Sequence, residues 1–189
     1  MIRIGILGDI GSGKSYVAER IGYPVFNADK EVIKLYKNDL KVFKQLTKSL
    51  PKFIYSFPIN KNEITAAILS NNSNLKKIIK IVHKEVRKKM NAFLKRNKKK
   101  RIVILDIPLL LENKINNKKD ILVFVESKRS DILKRLKKRN NFNEKLYKKF
   151  KSIQLPPSYK KMRSKFIIRN DFNNKSVKKS IKDILNQIK

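Results

Sequence analysis

Eight residues near the amino terminus, Gly8-Asp9-Ile10-Gly11-Ser12-Gly13-Lys14-Ser15, carry the pattern G-x-x-x-x-G-K-[ST]. Glycines at these spacings let the backbone turn so that successive N–H groups face a phosphate chain. A helix starting at Lys14 adds partial positive charge at the same point. Lys14 can then reach the β- and γ-phosphates, and Ser15 can offer a hydroxyl to Mg²⁺. The plain alternative is a Gly-rich strand–helix turn with an exposed lysine.

Two carboxylates follow at strand ends. Asp29 ends the predicted strand YPVFNAD, where it can take a proton from an attacking hydroxyl. It can equally cap the next helix. Asp106 ends the apolar strand IVILD and can hold Mg²⁺ directly or through water, or simply make a local turn bond. Pro108-Leu109-Leu110 follow, then Glu112. An apolar loop there can pack on a base or a pantetheine arm, or belong to the ordinary core. His83 and Arg87 are one helical turn apart, as are Arg135 and Arg139. The first pair can bind phosphate or a ribose hydroxyl, and the second can clamp a transferring phosphoryl group. Either pair can also be a solvated helix face.

The elements that position these residues are legible from periodicity. Short β-branched runs at 2–7, 24–29, 102–106, 121–125 and 166–168 read as buried strands. Helices are expected at 14–21, after 29, at 128–139, 143–153 and 158–164, and from Val177 to Ile188. Leu75, Ile78, Ile79, Val82, Val86, Met90 and Phe93 recur at helical spacing in one long amphipathic helix. Alternating strands and helices predict an α/β fold, a parallel five-stranded sheet flanked by helices. The strand-poor region 38–95 reads as a helical lobe at the sheet's C-terminal edge, where ligands of such sheets bind.

Composition bounds the rest. The chain has 189 residues, 48 Lys and Arg against 15 Asp and Glu, and a net charge of +33. A hydrophobic fraction of 41% supports a buried core and excludes a disordered basic tail. With no cysteine and one histidine, disulfide scaffolds, thiolate metal sites and His-rich metal sites are excluded. No apolar run is long enough to span a bilayer, and no cleavable signal is apparent, so a cytoplasmic protein without a membrane partner is expected. The basic residues are spread along the chain. Together with abundant Asn and Ile they fit A/T-rich coding, so no specific nucleic-acid partner is expected.

Taken together, the chain resembles the dephospho-coenzyme A kinases over nearly its whole length. GILGDIGSGKS at 5–15 is similar to that family's P-loop, FNAD at 26–29 to its strand-two motif, and HKEVR at 83–87 to its helix motif. DIPLLLE at 106–112 is close to its Pro-Leu-Leu-x-Glu loop, and LKRLKKRN at 133–140 to its lid helix. Gln154, Lys160 and Asn170 fall where the family carries Gln, Lys and Asn.

The resemblance implies a single P-loop NTPase-type kinase domain, 1–189, with an acceptor-binding lobe at 38–95 and a lid at 135–164 hinged near Gln154–Pro157. It implies ATP-dependent phosphorylation of the 3′-hydroxyl of dephospho-CoA, with ATP and Mg²⁺ required. Asp29 is then the base, and Lys14, Arg135 and Arg139 stabilise charge on the γ-phosphate. Gly8 and Gly11, Ser12, Gly13, Lys14, Ser15 and Tyr16 bind the ATP phosphates. His83, Arg87, Pro108, Leu109 and Leu110 hold the acceptor. Ser15 and Asp106 serve the metal.

The chain departs from the family pattern at Asp9, Tyr16, Asn27, Lys84, Phe150 and Lys165. Two other readings remain: a nucleoside-monophosphate-type kinase, and a basic nucleic-acid-binding NTPase. The first should lack the PLL-x-E loop. The second needs a basic surface continuous with the P-loop crevice, or aromatic residues for stacking on bases.

Overall fold

Five strands form one sheet: β1 (Ile2–Gly8), β2 (Val25–Asn27), β3 (Ile102–Asp106), β4 (Ile121–Glu126) and β5 (Phe166–Arg169). Every pairing is parallel and the order is β2-β3-β1-β4-β5. The computed structural model describes residues 1–140 and 142–188. The chain divides into two compact units, one of Met1–Asn27, Asn97–Phe142 and Ile153–Lys189, the other of Ala28–Arg96 and Asn143–Ser152.

The first unit holds the sheet. Nine helices run along the described residues, beginning with α1 (Lys14–Arg20), the next element after β1. β3 is buried at all five positions, which is why IVILD reads as an unbroken apolar run rather than an alternating one. Ile4, Ile6, Ile104, Val123, Val125 and Ile168 from the strands share one core with Val17 and Ala18 of α1. Val177, Ile181 and Ile184 of the carboxy-terminal helix α9 (Asn174–Gln187) complete it. β1 lies between β3 and β4, with Ile4 opposite both Ile104 and Ile121. The connections leaving β1 and β3 therefore run in opposite directions across the sheet. Strand order reverses at that place, and such a place opens a crevice beyond the strand C-termini. Also in this unit are α6 (Arg129–Lys137) and α8 (Pro157–Met162), with Pro157 at the helix start, where its missing N–H costs nothing.

The second unit is helical: α2 (Ala28–Asn38), α3 (Leu40–Ser49), α4 (Lys61–Ser70), α5 (Asn72–Arg96) and α7 (Glu144–Ser152). α2, α3 and α4 all pack on α5, and α7 packs on α4. Leu35, Val42, Leu46, Ala67, Ile68, Leu75, Val82 and Val86 form its interior. Asp39 caps α3 through Val42 N–H at 3.0 Å, and Asn60 caps α4 through Asn62 N–H. The expected strand at 24–29 is shorter than its sequence suggests. β2 pairs only as far as Asn27 opposite Asp106, and the next residues, Ala28-Asp29-Lys30-Glu31, begin α2. Asp29 therefore stands in the first turn of a helix, not at a strand end. Acidic groups there complement the positive end of the helix.

Candidate active site

The loop from Gly8 to Gly13 is held from both sides. Asn170 Nδ2 donates to the Ser12 carbonyl at 2.8 Å, and Ser127 Oγ donates to the same oxygen at 3.0 Å. The Ser12 N–H reaches back to the Asp9 carbonyl at 3.2 Å, and the Gly13 carbonyl accepts the Val17 N–H of α1. Gly11 and Gly13 take φ values of 84° and 90°. A Cβ on Gly13 would come within 2.3 Å of Asn170 Nδ2, so side-chain bulk and backbone strain both exclude other residues there.

Lys14 is nearly buried, and its ammonium donates to the Asp9 carbonyl at 2.8 Å and the Gly8 carbonyl at 3.3 Å. These bonds curl the lysine over its own loop and pre-order its charge. The Asp9 carboxylate accepts the Ile10 N–H at 2.7 Å. Ser12 is fully buried and its hydroxyl has no hydrogen-bond partner. Ser15 is exposed on α1. Tyr16 is half-buried against the core, with the Arg20 guanidinium 5.1 Å from its ring centre.

Asp106 lies at the C-terminal end of β3, next to β1 and almost fully buried. Its Oδ2 accepts from Asn27 Nδ2 at 2.6 Å. An aspartate at position 27 would set two carboxylates against each other across β2 and β3. Asparagine makes the contact attractive, so this departure has a local physical reason. Ser15 and Asp106 offer hard oxygen donors, the type Mg²⁺ takes. The unsatisfied Ser12 hydroxyl, the ordered lysine and the loop N–H groups suit a polyphosphate. The residues present therefore fit both ATP and its metal.

The PLL-x-E segment is anchored from inside the first unit. Leu110 is fully buried, and a Cβ on Gly5 would come 2.6 Å from Leu110 Cδ2. Pro108 and Leu109 are half-buried. Glu112 Oε1 accepts from Lys160 Nζ at 2.7 Å and from the Leu155 N–H at 2.9 Å. Lys160 also reaches Gln154 Oε1 at 3.1 Å. This buried pair ties the loop after β3 to the start of α8. Sequence reasoning noted Glu112, Gln154 and Lys160 by resemblance but assigned them no partner. Ser127 went unmarked, since a serine after a strand has no distinguishing pattern.

On α6, Arg135 is exposed and lies over the Phe172 ring, 4.0 Å from its centre. Arg139 lies just beyond α6 and is exposed. Asn141, within the range 135–164 assigned to the lid, lies outside the described residues. Beside Phe172, hydrogen bonds from Ser176 Oγ and the Asn173 N–H hold the Asp171 carboxyl below the usual carboxylate range. In the second unit, His83 is half-buried and Arg87 exposed, both in the middle of α5. The same unit holds a buried carboxylate that sequence reasoning missed. Glu63 accepts the Tyr55 and Ser56 N–H groups and the Ser56 hydroxyl, fixing the loop before α4.

Comparison with known proteins narrows the chemistry. The model of the dephospho-CoA kinase family matches residues 2–176. A dephospho-CoA kinase from a Wolbachia of Brugia malayi is 32% identical over 190 residues, covering 98% of this chain and 97% of that one. Among solved structures, TT1252 from Thermus thermophilus superposes with a TM-score of 0.80 at 26% identity, covering 100% of this chain and 98% of the other. The dephospho-CoA kinase from Campylobacter jejuni shares the fold, with a TM-score of 0.63 at 20% identity over 98% and 96% of the two chains.

Proposed function

Since the chain belongs to the dephospho-CoA kinase family, and is an enzyme that phosphorylates dephospho-CoA with ATP in coenzyme A synthesis, we propose how its residues divide that work. The observation that carries the reading is an ordered Lys14, which opens the helix after β1 and its loop, together with a buried Asp106 at the end of β3, the strand beside β1. Gly8, Gly11, Ser12, Gly13, Ser15 and Tyr16 bind the ATP phosphates, chiefly through backbone N–H groups. Lys14 stabilises negative charge on the β- and γ-phosphates. Ser15 and Asp106 hold Mg²⁺, which when bound neutralises phosphate charge.

Asp29 is the general base. It takes the proton of the acceptor's ribose 3′-hydroxyl as that oxygen bonds to the γ-phosphorus and the bond to ADP breaks. Arg135 and Arg139 stabilise the charge on the transferring group, and segment 135–164 acts as a lid that excludes water. The 38–95 lobe holds the acceptor, with His83 and Arg87 binding it and Pro108 and Leu109 packing on its apolar parts. Leu110 supports that loop from the core. ATP and dephospho-CoA are water-soluble metabolites, which supports a cytoplasmic site of action. No described helix is long and apolar enough to cross a membrane.

The test is ADP release with ATP, Mg²⁺ and dephospho-CoA at moderate salt, run beside AMP, CMP, adenosine and single-stranded RNA. Release with dephospho-CoA alone, a ³¹P signal for a ribose 3′-phosphate, and loss of turnover in Asp29→Asn are expected. Unchanged turnover in that variant removes Asp29 as the base. Removal of Mg²⁺ by chelator should abolish release, and persistence of full activity would overturn the metal assignment.

A further inference from the structure

Phe172 has a backbone conformation that its side chain does not favour. Its φ is 64°, in the left-handed region that bulky residues rarely occupy. Such strain persists only where the surroundings over-determine it. The surroundings are specific here. The Phe172 N–H donates to Asn170 Oδ1 at 3.0 Å, and the same Asn170 side chain holds the P-loop through the Ser12 carbonyl. Phe172 Cε1 lies 3.6 Å from where a Cβ on Gly13 would stand. The ring is therefore a neighbour of the loop's last glycine. On its face sits the Arg135 guanidinium. α6, which carries Arg135, meets the same loop one step earlier: a Cβ on Gly11 would come 3.0 Å from Leu136 Cγ. Loop, helix and turn thus close a triangle, and Phe172–Arg135 is its third side.

We propose that Phe172 is a positioning residue, whose ring stands beside the P-loop at Gly13 and holds the Arg135 guanidinium next to that loop. An exposed arginine has many rotamers, and restricting them in advance lowers the cost of using it. A cation over a ring face is held through that face, and its N–H donors, which lie in the guanidinium plane, stay available for phosphate oxygens. The turn accepts an unfavourable φ so that a ring, not a glycine, stands at this point. The proposal rests on the assignment of Arg135 to the transferring phosphoryl group.

The experiment compares Phe172→Gly, Phe172→Leu and Phe172→Tyr in the full chain, alone and with Arg135→Ala. Glycine relieves the backbone and removes the ring; leucine keeps bulk without a ring; tyrosine keeps the ring. Glycine and leucine variants are expected to lower kcat about fivefold, the effect of losing one such contact, with KM for dephospho-CoA unchanged. Tyrosine is expected to restore kcat. In the Arg135→Ala background none of the three should lower kcat further. A second readout needs no substrate: the Arg135 side-chain NMR signals should show an upfield ring-current shift, lost in the glycine and leucine variants. If Arg135→Ala lowers kcat but that shift is absent from the starting protein, the positioning role is overturned and the arginine assignment stands. If the shift is present and Arg135→Ala leaves kcat unchanged, the arginine assignment fails and takes the proposal with it. Equal losses with and without Arg135 would mark Phe172 as merely structural and overturn the proposal.

Discussion

In the sheet unit Lys14 is fixed by two carbonyls of its own loop, and that loop hangs from Asn170 and Ser127. In the helical unit His83 and Arg87 stand on consecutive turns of a regular helix, at positions whose backbone is like that of any other helical residue. The first region places its chemistry through unusual backbone: positive φ at Gly11 and Gly13, with Asn170 directly against Gly13. The second carries its proposed acceptor-binding pair on an ordinary helix face. Where the backbone is unusual, few residue types fit, so the sequence carries a motif. Where it is regular, many types fit, and a functional pair looks like a solvated one.

That contrast can be broken by substitution. Asp29→Asn, in the helical unit, is expected to lower kcat about 10²- to 10⁴-fold, the range for a lost general base. The KM for ATP should barely move. Lys14→Ala, in the sheet unit, should cost about 10²- to 10³-fold through lost charge stabilisation. Steady-state kinetics on both variants checks the pair. A loss in Lys14→Ala confined to the KM for dephospho-CoA would contradict the assignment.

The anchoring of the sheet unit gives the next largest effect, read as stability. Lys160→Met leaves Glu112 charged and buried, at about 3–5 kcal/mol. Adding Glu112→Leu should recover most of that, because the uncompensated charge is gone. Gly13→Ala should cost about 1–3 kcal/mol from its positive φ alone, with a further loss as Asn170 is displaced from Ser12. Chemical denaturation measures all three. A stable Lys160→Met protein would show that the pair is dispensable.

Smaller effects are expected on ordinary helix faces. His83→Ala and Arg87→Ala should each raise the KM for dephospho-CoA about tenfold, the value of one charged hydrogen bond, without changing the KM for ATP. An equal rise in both constants would place these residues outside acceptor binding. The smallest effect is pH-dependent. The Asp171 carboxyl is lowered by Ser176 and Asn173, so folding favours its ionised form. Its contribution is fully present above the unfolded carboxylate pKa, near 4, and fades as pH falls through the lower folded value. The difference in Tm between the starting protein and Asp171→Asn should be constant at neutral pH and shrink below about pH 4.

The phosphate-binding loop was legible in the sequence because G-x-x-x-x-G-K-S between an apolar run and a helix leaves the backbone little choice. The five strands were legible for a related reason: buried parallel strands are short unbroken apolar runs, and IVILD and ILVFV are both. Asp29 was misplaced by two residues. FNAD alternates apolar and polar residues as a strand does, and only the end of pairing at Asn27–Asp106 shows where β2 gives way to α2.

The amino-acid sequence by itself determined what is local: strand and helix periods, the glycine-dependent turn and the absence of thiol chemistry. Tertiary structure alone decided what joins residues far apart in the chain. Asn170 and Ser127 meet on one carbonyl of the loop, Lys160 finds Glu112, Asn27 finds Asp106, and Phe172 carries Arg135. Several of these residues stand in recognisable motifs, but none of the pairings has a local signature. Long-range hydrogen bonds and ring contacts are set by the register of the sheet and the packing of its flanking helices, and those emerge only when the whole chain has folded.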